Sequence, residues 1–303
     1  MDIGVNSEFG KLKSVLLHVP TREEFAFNSA EDMMFLEEPN YDKVLYEINA
    51  YIELLESLDI TVYTDIGFPL RTSMAVEFPN LIYMKDLAIA TPDQLILCRP
   101  HHDVRKGEEV YLHKLLKHIG VTDDQINFIP VGDHEGADIV WLNPKKIMIN
   151  EGYRTTFKAS EEISRFFNSR YDIDSHKIEG NKHHQIPQHI QGSKHIFSLT
   201  NAAYRKELEP WDMDFENTYA FSETEEIVKG FSLNVITVNE NEIIMPSECP
   251  ETKAAYESLG VKCHESPMSE ITKGAGGFAC MTLFLNREKV WMGLLPEGLP
   301  NEY

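Results

Sequence analysis

The chain of 303 residues is short of cysteine, of cationic residues and of long apolar runs, and each shortage closes off a class of function. Its four cysteines, Cys98, Cys249, Cys263 and Cys280, are scattered with no CxxC spacing. Neither a zinc site nor a disulfide framework is indicated, and a reducing, cytoplasmic setting is the default. Lys and Arg number 28 against 49 Asp and Glu, a formal charge of −21. Neutralising phosphates takes clustered cations, so nucleic acid is not an expected partner, and the charge serves solubility. No uninterrupted apolar span reaches membrane length, and the opening MDIGVNSEFG lacks the basic and apolar regions of a signal peptide, so no membrane partner is expected. Low-complexity linkers are missing too. The length suits one large domain or two ordinary ones, and 42% apolar with 25% charged residues is the composition of a chain able to bury a full core.

What is present is organised around KGAGGFACMTLFLN, Lys273 to Asn286. Gly274, Gly276 and Gly277 precede Cys280, and the apolar run Met281 to Leu285 follows it. Glycines tolerate positive φ and allow close backbone approach, while the run after them reads as a buried strand. A thiol where a flexible loop enters a rigid element can be aimed at a ligand, and becomes a nucleophile if its proton is taken or its pKa lowered. A small buried core residue is the bland alternative.

The rest of the chain alternates short β-type runs with amphipathic helices. After the run Leu12 to Val19, Val44, Leu45, Ile48, Ile52, Leu55 and Leu58 recur at helical spacing within Tyr41 to Asp59, and Thr61 to Thr64 closes a first unit. LAIAT and LILCR flank Pro92, Asp93 and Gln94, a hairpin signal, and a helix over Val104 to Ile119 stops at Gly120. INFIP, then IVWLN and KIMIN about Asn143 and Pro144, then a helix from Ser160 to Phe167 repeat the layout. A fourth unit is blurred over residues 176–231, and NVITV, EIIMP and a helix over Pro250 to Leu259 make the fifth. About five units of hairpin and helix predict a closed, pseudo-symmetric α/β arrangement whose loops meet at one end of the axis.

Three polar segments stand where strands or turns would aim them. Asp86 in PNLIYMKD precedes the LAIAT strand, and Glu135 and Asp138 frame a Gly–Ala pair in HEGAD before another. Each could hold a cation or be a solvated turn residue. His183, His184, His189 and His195 fall in HHQIPQHIQGSKHIF, yet no cysteine or carboxylate accompanies them at ligand spacing. A single histidine shuttling protons fits better than a metal.

In this order, the segments resemble the guanidino-group-modifying enzymes of the pentein superfamily: arginine deiminases, dimethylarginine dimethylaminohydrolases and amidinotransferases. VNSEFGKLKSVLLHVP resembles the opening strand of that family, PNLIYMKDLAIA its guanidinium-binding strand, and RPHHDVRKGEE the segment with a carboxylate-binding arginine. EGADIVWLN, NEGYRTT and GGFACMTLFLN resemble its acidic strand, its second arginine turn and its nucleophile loop. The resemblance implies a single guanidino-group-modifying catalytic domain over residues 1–303. Its fold would be a five-bladed ββα propeller, the pentein fold. It implies Cys280 as attacking thiolate, His189 as general acid and base, and Glu135 orienting His189. Asp86 would bind the guanidinium, Arg105 and Arg154 would clamp an α-carboxylate, and Asn80 and Tyr83 would line the pocket. The expected activity is a metal- and cofactor-independent hydrolase cleaving a C–N bond of an arginine-like small molecule through a thiouronium intermediate. Amidino transfer, a citrulline-type ureidohydrolase and a catalytically silent binding protein are the alternatives, and a homo-oligomer is left open.

Two departures bear on the substrate. Arginine deiminases and amidinotransferases of the superfamily place an aspartate two residues after the catalytic histidine, where this chain has Gln191. A neutral amide suits an N-methylated arginine or a ureido compound better than a bare guanidinium. His195 can be aligned in place of His189, although His189 keeps the downstream apolar run in better phase. The helical insertion that arginine deiminases carry before the PN segment has no counterpart here.

Overall fold

A computed structural model describes residues 1–26, 29–167, 170–177, 188–191, 195–199, 217–222 and 224–290. For residues 176–177, 188–191, 195–199, 217–218 and 220 it describes the backbone alone. Within these, strand β1 (Leu12–Leu17) leads through helix α1 (Tyr41–Ser57) to β2 (Thr61–Thr64), which lies parallel to it. The hairpin β3 (Ala88–Ala90) and β4 (Leu95–Leu97) is followed by α2 (Glu108–His118) and a parallel β5 (Ile126–Phe128). The hairpin β6 (Ile139–Asn143) and β7 (Lys146–Glu151) is likewise followed by α3 (Phe157–Phe167) and a parallel β8 (Asp172–Lys177). β9 (Gln188–Gln191) pairs antiparallel with β10 (His195–Leu199), and β11 (Asn217–Phe221) runs parallel to β10. β12 (Ile236–Asn239), β13 (Glu242–Pro246), α4 (Pro250–Ser258) and β14 (Lys262–Ser266) complete a fifth repeat.

The first sheet takes its antiparallel partner from the other end of the chain: β15 (Leu283–Arg287) pairs with β1. Among the described residues, every sheet is therefore one antiparallel pair plus one parallel strand, five times over, which is the expected five-bladed architecture. In four of these sheets, among the described residues, a parallel strand follows the helix of the ββα unit. The added strands β8 (DIDSHK) and β14 (KCHES) are rich in polar residues, so they lack the apolar alternation that marks a strand in sequence.

Local chemistry sets the helix limits. Asn40 caps α1 by accepting from the Lys43 N–H at 3.1 Å, and Asp59, in the left-handed region at φ 61°, follows its end. The buried stripe of α1 is Val44, Glu47, Ile48, Tyr51 and Leu55, whereas Leu45, Ile52 and Leu58 are partly buried. Two polar residues thus enter a face that apolar spacing alone assigned elsewhere. α2 begins at Glu108 rather than Val104, because Asp103–Arg105 forms its own 3-10 turn and Gly107 takes φ 104°. The expected stop at Gly120 holds, at φ 99°.

A buried charge cluster ties the first sheet to α2. His18, just after β1, has Nδ1 2.6 Å from Asp65 Oδ2 and Nε2 2.5 Å from Glu24 Oε2. Asp65, just after β2, also accepts from the Tyr111 hydroxyl at 2.5 Å and the Val19 N–H at 3.1 Å. With a carboxylate at each ring nitrogen, the imidazole carries both protons. Burial opposes that charge, but Asp65 and Glu24 outweigh it and lift the His18 pKa to about 10. Burial likewise opposes ionisation of Asp65, yet His18 holds its carboxyl down to about 2.

His18 therefore contributes stability that is complete below its ordinary pKa of 6.5 and is lost as pH rises toward 10. The contribution of Asp65 is complete above 3.8 and is lost as pH falls toward 2. His18→Phe leaves two buried carboxylates without their shared cation, and is expected to lower unfolding free energy at neutral pH by about 3–5 kcal/mol. Urea titrations should show the gap between wild type and variant narrowing as pH is raised from 7 to 10. A pH-independent gap would mean that the ring acts by packing alone.

Candidate active site

Cys280 lies on a single helical turn, Phe278–Met281, that feeds β15. It thus precedes the strand on a turn of its own and is 6% exposed. The loop ahead of this turn is held from behind by α1. The Glu47 carboxylate accepts from the Ser269 hydroxyl at 3.0 Å, from Glu270 N at 3.0 Å and from Ile271 N at 3.1 Å. Tyr51 bonds Thr282 at 2.8 Å and packs its ring 4.5 Å from that of Phe278. The glycines are needed for space rather than for positive φ, which here falls on Ala275 at 61°. A Cβ on Gly274 would sit 1.9 Å from the Tyr83 hydroxyl, and one on Gly276 would sit 2.4 Å from the Tyr83 ring. Tyr83 is buried in this notch and donates to the Ile271 carbonyl at 2.9 Å. Burial, then the neighbouring Cys280, push its pKa well above the ordinary phenol value.

The turn carrying Cys280 packs on the turn Met84–Leu87, which carries Asp86, and that turn packs on Gly136–Asp138, which follows Glu135. The last contact is tight: a Cβ on Gly136 would lie 2.4 Å from the carbonyls of Lys85 and Ala88. Asp86, Glu135 and Asp138 are all buried. Thr155 links the last two, donating to Asp138 Oδ2 at 2.6 Å and accepting from Glu135 N at 3.2 Å. The turns carrying Cys280, Asp86 and Asp138, far apart in sequence, thus pack one on the next, with Glu135 just ahead of the last.

Arg105, expected to help clamp an α-carboxylate, is buried among acids. It is 1% exposed; Nη1 donates to Asp86 Oδ2 at 2.6 Å and Nε to Glu108 Oε2 at 2.9 Å. Nη1 also lies 4.0 Å from Glu135 Oε2, and Nη2 lies 2.8 Å from Glu108 Oε2. Burial disfavours this guanidinium, but Glu108, Asp86 and Glu135 hold its pKa well above the ordinary value. Arg154 is more open, its side chain 14% exposed, and Nη1 donates to Glu135 Oε2 at 3.1 Å. Asn80 is buried beside Tyr83's segment and donates to the Met33 carbonyl.

His189 and Gln191 lie on β9 and His195 on β10, with Cα pairing of His195 to Gln191 and of Phe197 to His189. Their side chains lie outside the described residues, as do His183 and His184 altogether. Among the described residues no group of three or more His, Cys, Asp or Glu is arranged for a metal ion, and no helix is long and apolar enough to cross a membrane. The sequence reading missed Glu108 and Asn234. The latter donates from Nδ2 to Cys280 Sγ at 3.0 Å. Glu108 has a weak signal, since RKGE puts a carboxylate three residues after Arg105 at a helix start; Asn234, in SLNVITV, has none.

Known proteins share the fold and parts of the sequence. In fold and in sequence the chain is similar to enzymes that act on guanidino groups. Residues 216–287 match the arginine deiminase family model. The dimethylarginine dimethylaminohydrolase of Pseudomonas aeruginosa is 25% identical over 260 residues, covering 82% of this chain and 91% of that protein. An arginine deiminase of Listeria monocytogenes is 24% identical over 70% of this chain, but the match spans only 62% of that protein. The solved N-terminal domain of ArgZ, a cyanobacterial arginine dihydrolase, superposes with a TM-score of 0.74 over 90% of this chain and 98% of that one, at 16% identity.

Gly276→Ala should destabilise the protein by about 1–3 kcal/mol, because the new methyl group meets the Tyr83 ring rather than solvent. In a Tyr83→Ala background the same substitution should cost much less in denaturant unfolding. Additive losses would show that Gly276 is needed for some other reason.

Proposed function

We propose that the chain is a cysteine-dependent, metal-independent hydrolase acting at the guanidino carbon of an arginine-type amino acid. The observation that carries this reading is the packing of the Cys280 turn on the Asp86 turn, whose carboxylate shares Arg105 with Glu135. A planar cation is electrophilic at carbon while its nitrogens stay protonated. Buried carboxylates are the groups that would keep it so.

In this mechanism Cys280 Sγ attacks the guanidino carbon as the thiolate, giving a tetrahedral adduct. His189 protonates one nitrogen, whose bond to carbon breaks, and an amine or ammonia leaves an S-linked thiouronium. His189 then takes a proton from water, the hydroxyl adds to the same carbon, and the C–S bond breaks as the hydroxyl proton passes to solvent or to the released amine, returning the thiolate and a neutral ureido product. Glu135 orients His189, as a third group does in other triads. Asp86 receives the guanidinium, and Arg105, held by Glu108, sets the position of Asp86. Arg154, the more exposed cation, is left to meet the substrate's α-carboxylate. Gln191 in place of an aspartate favours an N-methylated arginine or a ureido analogue.

The test is to screen arginine, methylarginines, citrulline and agmatine for released ammonia, methylamines and urea, with intact-mass detection of an adduct on Cys280. Cys280→Ser should abolish both product and adduct. Tight binding with neither would overturn the hydrolase in favour of a silent binding protein, and product formed only with glycine or ornithine added would show amidino transfer. Arg154→Ala should raise KM about tenfold for substrates with an α-carboxylate and leave agmatine, which has none, unaffected. An equal loss for both would remove Arg154 from carboxylate binding.

A further inference from the structure

The three other cysteines differ from Cys280 in what their sulfur does. Cys98, Cys249 and Cys263 each place Sγ 3.6–3.8 Å from the carbonyl oxygen two residues earlier, as weak thiol donors. Burial, then Glu135, Asp86 and Asp138, push the Cys98 thiol well up; burial first carries Cys249 up to about 12 and Cys263 up to about 11. All three therefore remain protonated at neutral pH. At Cys280 the sulfur instead accepts, from Asn234 Nδ2 at 3.0 Å, a separation as short as an ordinary N–H···O bond.

The direction of this bond follows from the rest of the amide. Asn234 Oδ1 accepts from the main-chain N–H of Ala279 at 2.8 Å and of Cys280 at 3.3 Å. Those groups can only donate, so the oxygen must face them and the NH₂ must face sulfur. The Asn234 backbone is pinned in turn, its N–H donating to the Phe231 carbonyl at 2.8 Å just before β12. Gly277 gives it room: a Cβ there would lie 2.9 Å from Asn234 Cβ and Oδ1. The amide is thus oriented before any ligand arrives, with an N–H aimed at the reacting atom. A donor in that position favours the anionic acceptor over the neutral one.

From this geometry we infer that Asn234 is a catalytic residue that stabilises the thiolate of Cys280 by a preoriented side-chain N–H donor. The inference rests on Cys280 being the nucleophile. Asn234 lowers the thiol pKa in the empty enzyme, and the same donor holds the thiolate again when it is expelled from the thiouronium. It also shows why the blade carrying β12 has to be in place for the loop from Lys273 to Cys280 to work: the donor and the thiol come from different sheets.

The test uses no substrate, so it stands apart from the identity of the reaction. Alkylation of Cys280 by iodoacetamide is followed against pH, with peptide mass mapping to exclude the other thiols. Asn234→Ala and Asn234→Ser, both uncharged, should raise the midpoint by about one pH unit, slowing alkylation roughly tenfold below both midpoints. A midpoint unchanged in a variant shown by circular dichroism to be folded would overturn the inference and leave Asn234 as a main-chain cap. Should neither variant fold, the wild-type protein decides. The ¹⁵N-resolved side-chain amide proton of Asn234 should move with the same midpoint as alkylation, and a resonance flat through that range would equally overturn it. Failure of the hydrolase reading has a different mark, a shifted midpoint with no product or adduct from any arginine derivative.

Discussion

One buried guanidinium holds the candidate site together. Arg105 joins Asp86, at the entrance of the second sheet, to Glu108 at the start of α2, and lies within 4.0 Å of Glu135 at the entrance of the third. Without it, carboxylates from two neighbouring blades would face each other out of water, each opposing ionisation of the other. Removing one partner from such a buried cluster typically costs about 3–5 kcal/mol, a large share of the roughly 5–15 kcal/mol that holds an ordinary domain together. These acids therefore help to hold the two sheet entrances together, and the cation that makes them tolerable is also what fixes where they point.

Much of the fold was legible because hairpins and amphipathic helices repeat. Turn chemistry at Pro92 to Gln94, the stop at Gly120 and apolar runs such as IVWLN and EIIMP locate most of the blades. What stayed hidden were elements whose stability comes from partners rather than pattern. β8 and β14 are polar strands, and each exists because a neighbouring apolar strand offers a parallel edge. Glu47 and Tyr51 were unreadable as buried residues of α1, since their polar atoms find donors and acceptors more than two hundred residues away.

The candidate site divides along the same line. Cys280, Asp86 and Glu135 could be picked out because a glycine loop or a strand entrance announces each one. The inward turn of Arg105 could not, because sequence does not reveal whether a cation will face water or a cluster of acids. Nor could Asn234, which occupies an ordinary β-type stretch and gains its meaning only from a loop brought to it by the last strand. The glycines of that loop were noticed for conformational freedom and turn out to be required for clearance, with Tyr83 and Asn234 pressed against them.

β15 carries a consequence for how the molecule comes together. The strand that seals the first blade against β1 begins just after the helical turn bearing Cys280, so that seam and the Cys280 sulfur belong to one continuous stretch of backbone. Any breathing at that seam pulls the sulfur away from Asn234 and from the acids in the same movement. On the proposed mechanism, chemical competence is thereby coupled to the pairing of β15 with β1, and a molecule unzipped there would lose its donor and its thiol's position together.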